Sequence, residues 1–155
     1  MPQLTKGGKY VFGWSKVGKM GEIVIPREAM EEYRFHDWDR VILMSGSRKS
    51  GGFGVTTPSL LRRSPLSSVL SRVPGLGSFQ MPEGKAVRIE GRSFCWTTIQ
   101  EGGYISLPPE TLREYEIREE DLLLSVKGSR LAIGFALKGP LVEEALAHPQ
   151  LEIFE

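Results

Sequence analysis

Residues 17–26 read V-G-K-M-G-E-I-V-I-P, and 82 positions later residues 99–108 read I-Q-E-G-G-Y-I-S-L-P. Both are a glycine turn followed by alternating aliphatics that end at a proline: Ile23 and Ile25 before Pro26, Ile105 and Leu107 before Pro108. Alternation with period two predicts a half-buried strand. A proline at the first helical position costs nothing, because its missing N–H would have no partner there, so Pro26 and Pro108 predict helix starts. The same offset extends outward without a gap, from Phe12 over Phe94 to Pro58 over Pro140. It places Trp14 on Trp96, Tyr33 on Tyr115, Asp39 on Asp121, Gly46-Ser47-Arg48 on Gly128-Ser129-Arg130, and Gly52-Phe53 on Gly134-Phe135. About fifteen of roughly 47 aligned positions are identical, far above chance, so the chain is an internal duplication. Solenoids usually need three or more repeats; two copies in a chain of 155 residues predict a pseudo-dimer sharing one core.

Both copies predict the same order of elements. Aromatic and β-branched residues mark strands over Lys9 to Val17 and Ser93 to Ile99. A glycine turn and the alternating strand follow, then a short helix whose first turn carries Glu28 or Glu110, where the helix dipole favours negative charge. The helix gives out near Tyr33 and Tyr115, and a polar turn with Asp39 or Asp121 leads to a third strand, Val41 to Met44 and Leu122 to Val126. The Gly-Ser-Arg turn returns the chain through Phe53 or Phe135, and Pro58 and Pro140 open second helices. Leu151 to Phe154 predicts an edge strand. The segment between the copies is rich in Ser, Pro and Gly, with Leu66, Val69, Leu70 and Val73 at helical spacing, which predicts a helix over Pro65 to Arg72 and then a loop through Pro74 and Pro82. The organisation expected is a first repeat over 9–61, a basic connector over 62–90 and a second repeat over 91–155.

This order resembles the AbrB/SpoVT/MazE family, in which two copies of the unit build a swapped-hairpin β-barrel. Val17 to Pro26 is similar to the family's glycine turn, alternating aliphatics and proline, and Ile99 to Pro108 is a weaker second copy. Asp39 and Asp121 match the aspartate of the family's Gly-Asp turn, although Trp38 and Glu120 stand in place of its glycine. Both units on one chain match the tandem form found in MraZ, whose Asp-x-Lys-Gly-Arg signature is absent here. The resemblance covers about two thirds of the chain. It implies a mainly β fold with short helices, arranged as a swapped-hairpin β-barrel of two internal repeats, and a DNA-binding transcriptional regulator as the function. The chain departs from the family where basic or polar residues are common: Glu22 and Tyr104 follow the turn glycine, and Met30 and Glu31 occupy the place of an arginine pair. Arg27, after Pro26, keeps a basic residue.

Composition frames the chemistry. A hydrophobic share of 40% with 25% charged residues is that of a globular protein. No apolar run approaches the eighteen or so residues of a membrane span, and Met1 to Gly8 lacks the apolar core of a signal peptide. With one cysteine, Cys95, no internal disulfide forms, and a cytoplasmic location is expected. The net charge of +1 divides unevenly, into +3 over residues 1–57, +4 over 58–92 and −6 over 93–155.

Lys6, Lys9, Lys16 and Lys19 precede the first acidic residue, Glu22. Lys9, Lys16, Lys19 and Arg27 are candidates to neutralise phosphates of double-stranded DNA; the other reading is a solvated edge whose lysines discourage aggregation. Arg62, Arg63 and Arg72 contact a backbone or solvate a helix. In the Gly-Ser-Arg turns, Arg48 and Arg130 are candidates to bind an anion beside a backbone nest; the alternative is a plain hairpin whose arginine pairs with a carboxylate across the pseudo-two-fold. Trp14, Trp96, Phe12 and Phe94 read as core rather than base-stacking platforms. His36 and His148 have no ligand-spaced partners, Asp37 and Asp39 are turn residues, and Cys95 reads as an inert strand thiol. No catalytic site, metal or cofactor is expected. The expected function is a cytoplasmic DNA-binding regulator contacting phosphates through the first repeat; the alternative is a protein- or anion-binding module without DNA. A second copy or another protein is a further partner class, and no membrane partner is expected.

Overall fold

The computed structural model describes residues 4–6, 9–127 and 129–155. The chain is mainly β with short helices. Its first copy contains β2 (Lys9–Lys16), β3 (Glu22–Val24), α1 (Arg27–Glu32), a 3-10 turn (Phe35–Asp37), β4 (Arg40–Ser45), β5 (Phe53–Thr56) and α2 (Pro58–Arg62), after an initial β1 (Leu4–Lys6). The second copy contains β7 (Arg92–Thr98), β8 (Tyr104–Ser106), α5 (Pro109–Glu114), β9 (Leu122–Lys127), β10 (Ile133–Ala136) and α6 (Pro140–Ala145), and ends on β11 (Ile153–Phe154).

The predicted strands are present, and three details differ. Pro26 and Pro108 are the residues before the first helical turn: each is extended, with ψ 142° and 161°, and in the second copy Pro109 takes the first helical position. The connector helix starts at Ser68 rather than Pro65, giving α3 (Ser68–Arg72). Its expected loop contains α4 (Pro74–Ser78) and β6 (Val87–Ile89). Pro74 starts α4, whose Leu76 is fully buried, so apolar contact orders a segment whose glycines favour a loop.

Strand pairing crosses between the copies. β2 pairs with β9, not with its own copy's β4, and β7 pairs with β4. Equivalent positions make equivalent pairs: Trp14 lies opposite Leu124, and Trp96 opposite Ile42, each 82 residues from its counterpart. The remaining pairs lie on the pseudo-two-fold itself. Ile23 faces Ile105 where β3 meets β8, and Phe53 faces Phe135 where β5 meets β10. Single hydrogen bonds repeat as well: Val17 N–H donates to Asp121 O at 2.9 Å, and Ile99 N–H to Asp39 O at 2.8 Å.

The large sheet runs β1-β2-β9-β10-β5-β4-β7-β6, with β11 added in parallel beside β1 on the outer side of β2. It does not close into the expected barrel. Its ladder ends at β1 and β6, and β3 pairs with β8 in a separate two-stranded ribbon. The second strands of the two copies thus pair with each other instead of bridging the edges of the large sheet.

One face of the sheet packs on the ribbon, α1 and α5 around the main core, which includes Phe53, Val55, Ile133, Phe135, Ile23 and Ile105. The other face carries two separate clusters. Trp14, Leu124, Val142 and Ala145 place α6 over β2 and β9. Ile42, Phe94, Leu61, Val69 and Leu76 place α2, α3 and α4 over β4 and β7. A bulge between Val11 and Gly13 explains why Phe12 lies in the main core while its counterpart Phe94 lies on the opposite face: one extra residue reverses which side a strand residue faces. Gly13 is required there, because a Cβ would sit 2.6 Å from the Glu152 carbonyl oxygen where β11 docks.

Because each copy's first strand has the other copy's hairpin on its inner side and, within its own half, only the short β1 or β6, neither half holds a complete sheet. Residues 1–63 and 85–155 expressed separately are expected to lack a cooperative thermal transition as monomers, as checked by circular dichroism melting. Trp14, 6% exposed under α6, is expected to cost about 3–5 kcal/mol on Trp14→Ala, read from denaturant unfolding.

Candidate functional site: a basic groove over the central strands

The lysine track expected to meet DNA is only partly free. Lys16 ends β2, and the exchanged pairing brings β9 and the chain terminus beside it. Its Nζ lies 3.0 Å from Glu120 and 3.8 Å from Glu155. The hydrogen bond to Glu120 raises the ammonium pKa, so Lys16 is charged but engaged. Glu22 shapes the turn: its carboxylate accepts the Met20 N–H at 2.9 Å. Lys19 and Arg27 are exposed and, among the described residues, have no ion-pair partner. The side chain of Lys9 lies outside what is described.

At the opposite end of the central strands, the two Gly-Ser-Arg turns flank a groove of about 590 Å³. Gly128 lies outside the described residues. Arg48 and Arg130 are exposed, and neither meets a carboxylate among the described residues, so the cross-axis ion pair is not formed. Nor does either line the groove; their chain neighbours Ser47, Lys49 and Ser129 do. Its cationic lining residues are Lys49, Arg92 and Lys138, all exposed and without an ion-pair partner among the described residues. No carboxylate lines it.

The topology accounts for both the shape and the charge. The helices after the two hairpins, α2 and α6, are related by the pseudo-two-fold, so they leave the sheet in opposite directions, each covering two outer strands. Between them the centre of the middle pair, at Gly54 of β5 and Gly134 of β10, stays half-exposed on that face. Its inward residues are Phe53, Val55, Ile133 and Phe135, and its outward ones are Gly54, Thr56, Gly134 and Ala136. Neither hairpin contributes an acid: residues 40–82 and 122–142 contain no Asp or Glu. Pairing β5 with β10 brings both acid-free runs together, so Lys49 and Lys138 meet at a groove with no carboxylate in its lining to offset their repulsion. That the runs recur 82 residues apart was readable in the sequence; that they converge depends on the exchange. The Tyr33 hydroxyl, from the end of α1, donates to Ser129 O at 2.8 Å and holds one turn in place. Burial raises its pKa, so the phenol stays a donor.

The other candidates lie elsewhere in the fold. Trp14 and Trp96 are buried, and Trp96 Nε1 donates to Met81 O at 2.7 Å. Arg72 pairs with Glu90 at 3.2 Å, and Asp37 with Arg34 at 3.0 Å. Arg62 and Arg63 are exposed outside the groove. Among the described residues no three His, Cys, Asp or Glu side chains form a metal-binding group, and His148 Nδ1 lies 3.1 Å from Gln150 Nε2. Cys95 is fully buried with Sγ 3.3 Å from the Tyr115 hydroxyl, and desolvation pushes its thiol up to about 11. No helix among the described residues is long and apolar enough to cross a membrane.

Compared with protein-family models, curated proteins and solved structures, the chain matches none.

Because the thiolate is the reactive form, Cys95 in the native protein is expected to react with a disulfide reagent at pH 8 at least a hundredfold more slowly than in denaturant. A burst at the denatured rate would place this thiol outside the core.

Proposed function

We propose that the chain is a non-catalytic anion-binding module on an AbrB/SpoVT-like swapped-hairpin architecture, with the groove as its binding face. The observation that carries this is the convergence of Lys49, Arg92 and Lys138 on a groove of about 590 Å³ lined by no carboxylate. The architectural part draws support from the exchanged pairing of β2 with β9 and β7 with β4. It also draws on Glu120, which holds a positive φ of 76° at the place of the family's turn glycine.

A second reading, a DNA-binding transcriptional regulator, draws on Lys19 and Arg27, exposed and without carboxylate partners among the described residues. With Lys16 engaged by Glu120, the phosphate contacts fall to Lys9, Lys19 and Arg27, and the expected slope of log K on log salt is about −2.7, from about −0.9 per phosphate.

One set of variants separates the two. Lys49→Glu with Lys138→Glu is expected to remove the stabilisation of melting that millimolar pyrophosphate gives the wild type; ligand at a hundred times Kd is worth about 2.7 kcal/mol. Lys19→Glu with Arg27→Glu leaves that stabilisation intact. Under the DNA reading the second pair instead abolishes a duplex gel shift at low salt, and Glu120→Gln, by releasing Lys16, steepens its salt slope. If neither pyrophosphate nor an organic anion moves the wild-type melting temperature, the groove does not bind anions.

A further inference from the structure

We infer that the groove takes an organic anion with a flat apolar body, such as a fused-ring carboxylate, sulfonate or phosphate. This rests on the anion-binding reading of the same groove and adds the nature of the ligand's uncharged part. The cationic rim calls for an anionic head group, and the floor specifies what that group is attached to. Across the groove's face of the sheet, one row of directly opposed residues runs Met44, Gly54, Gly134, Val126. All four line the groove.

The two glycines in that row are not imposed by the backbone. Neither has a positive φ. A Cβ on Gly54 would meet nothing nearer than the Ile133 carbonyl oxygen at 3.5 Å, and on Gly134 nothing nearer than the Val126 carbonyl oxygen at 3.7 Å, both ordinary contacts. Gly52 differs: its φ is 65°, and a Cβ there would collide with the Phe135 carbonyl. Glycine inside a strand weakens it and often marks a close approach by a ligand. Side chains at 54 and 134 would fill the groove; without them its floor is two adjacent peptide strands, walled by Met44 and Val126. A planar ring system fits such a surface. A bare phosphate would use the rim and leave the floor in water. The volume falls within the range of about 300–1,000 Å³ typical of small-molecule sites.

The probe is 2-naphthalenesulfonate, measured by isothermal titration calorimetry on the full chain, with sulfate supplying the charge without the body and 2-naphthalenemethanol the body without the charge. The naphthalenesulfonate is expected to bind one per chain, at least tenfold more tightly than either control. Gly54→Val with Gly134→Val is expected to weaken it at least tenfold while the pyrophosphate effect on melting persists. Should the valine pair fail to fold, Gly54→Ala with Gly134→Ala is expected to weaken it about threefold. Unchanged affinity in a folded floor variant overturns the flat-body inference and leaves the anion reading standing. Equal binding of sulfate and naphthalenesulfonate overturns it in the same way. If neither naphthalenesulfonate nor pyrophosphate binds the wild type, both fall.

Discussion

The pairing of β5 with β10 is the contact on which the rest of the molecule depends. Phe53 lies opposite Phe135 with ring centroids 5.1 Å apart and nearly parallel planes. Directly opposed aromatic side chains are among the stronger cross-strand pairs, and here the two residues are the same position of the two copies. This fixes the pseudo-two-fold, and with it the register of every other cross-copy ladder. Once the hairpins β4–β5 and β9–β10 are joined back to back, their outer strands present edges that only the other copy's first strand covers. The ribbon of β3 and β8 then closes the core from the opposite side, with Ile23 against Ile105.

The same constraint sorts charge. Along the chain, positive charge belongs to the first two thirds and negative charge to the last third. Folding cuts across that division. The acid-free hairpin of the first copy meets the acid-free hairpin of the second, while Glu120 and Glu155 from the acidic third are carried to Lys16. A linear count singles out the lysines of the first copy; folding also gathers Lys49, Arg92 and Lys138 at a groove to which both copies contribute.

Much of the strand order was legible because the 82-residue offset supplies two readings of each element, and alternation in Ile23–Ile25 and Ile105–Leu107 marks the ribbon. What was not legible is non-local. Phe12 and Phe94 align, yet a bulge sends them to opposite faces, and nothing in F-G-W against F-C-W separates the two outcomes except that Gly13 tolerates a φ of 151°. The open ladder is not legible because closure depends on which partner β3 and β8 choose. The helix α4 is not legible because its glycines argue for a loop and only the burial of Leu76 overrides them. At the groove, the Gly-Ser-Arg turns are legible but its lining is not: Arg48 and Arg130 do not line it, and Lys49, Arg92 and Lys138 do. They stand at positions the repeat does not duplicate, so identity between the copies pointed away from them.

Carrying both copies of the repeat on one chain has a consequence for how such a molecule can change. If the units were separate chains, a substitution would appear on both sides of the axis at once, and a surface crossing that axis would remain a palindrome. Here Gly54 is matched by Ala136, Met44 by Val126 and Lys49 by Leu131. The covalent link has released the two sides from copying one another, so a cleft on the dyad can acquire a front and a back and hold a lopsided molecule in a single orientation.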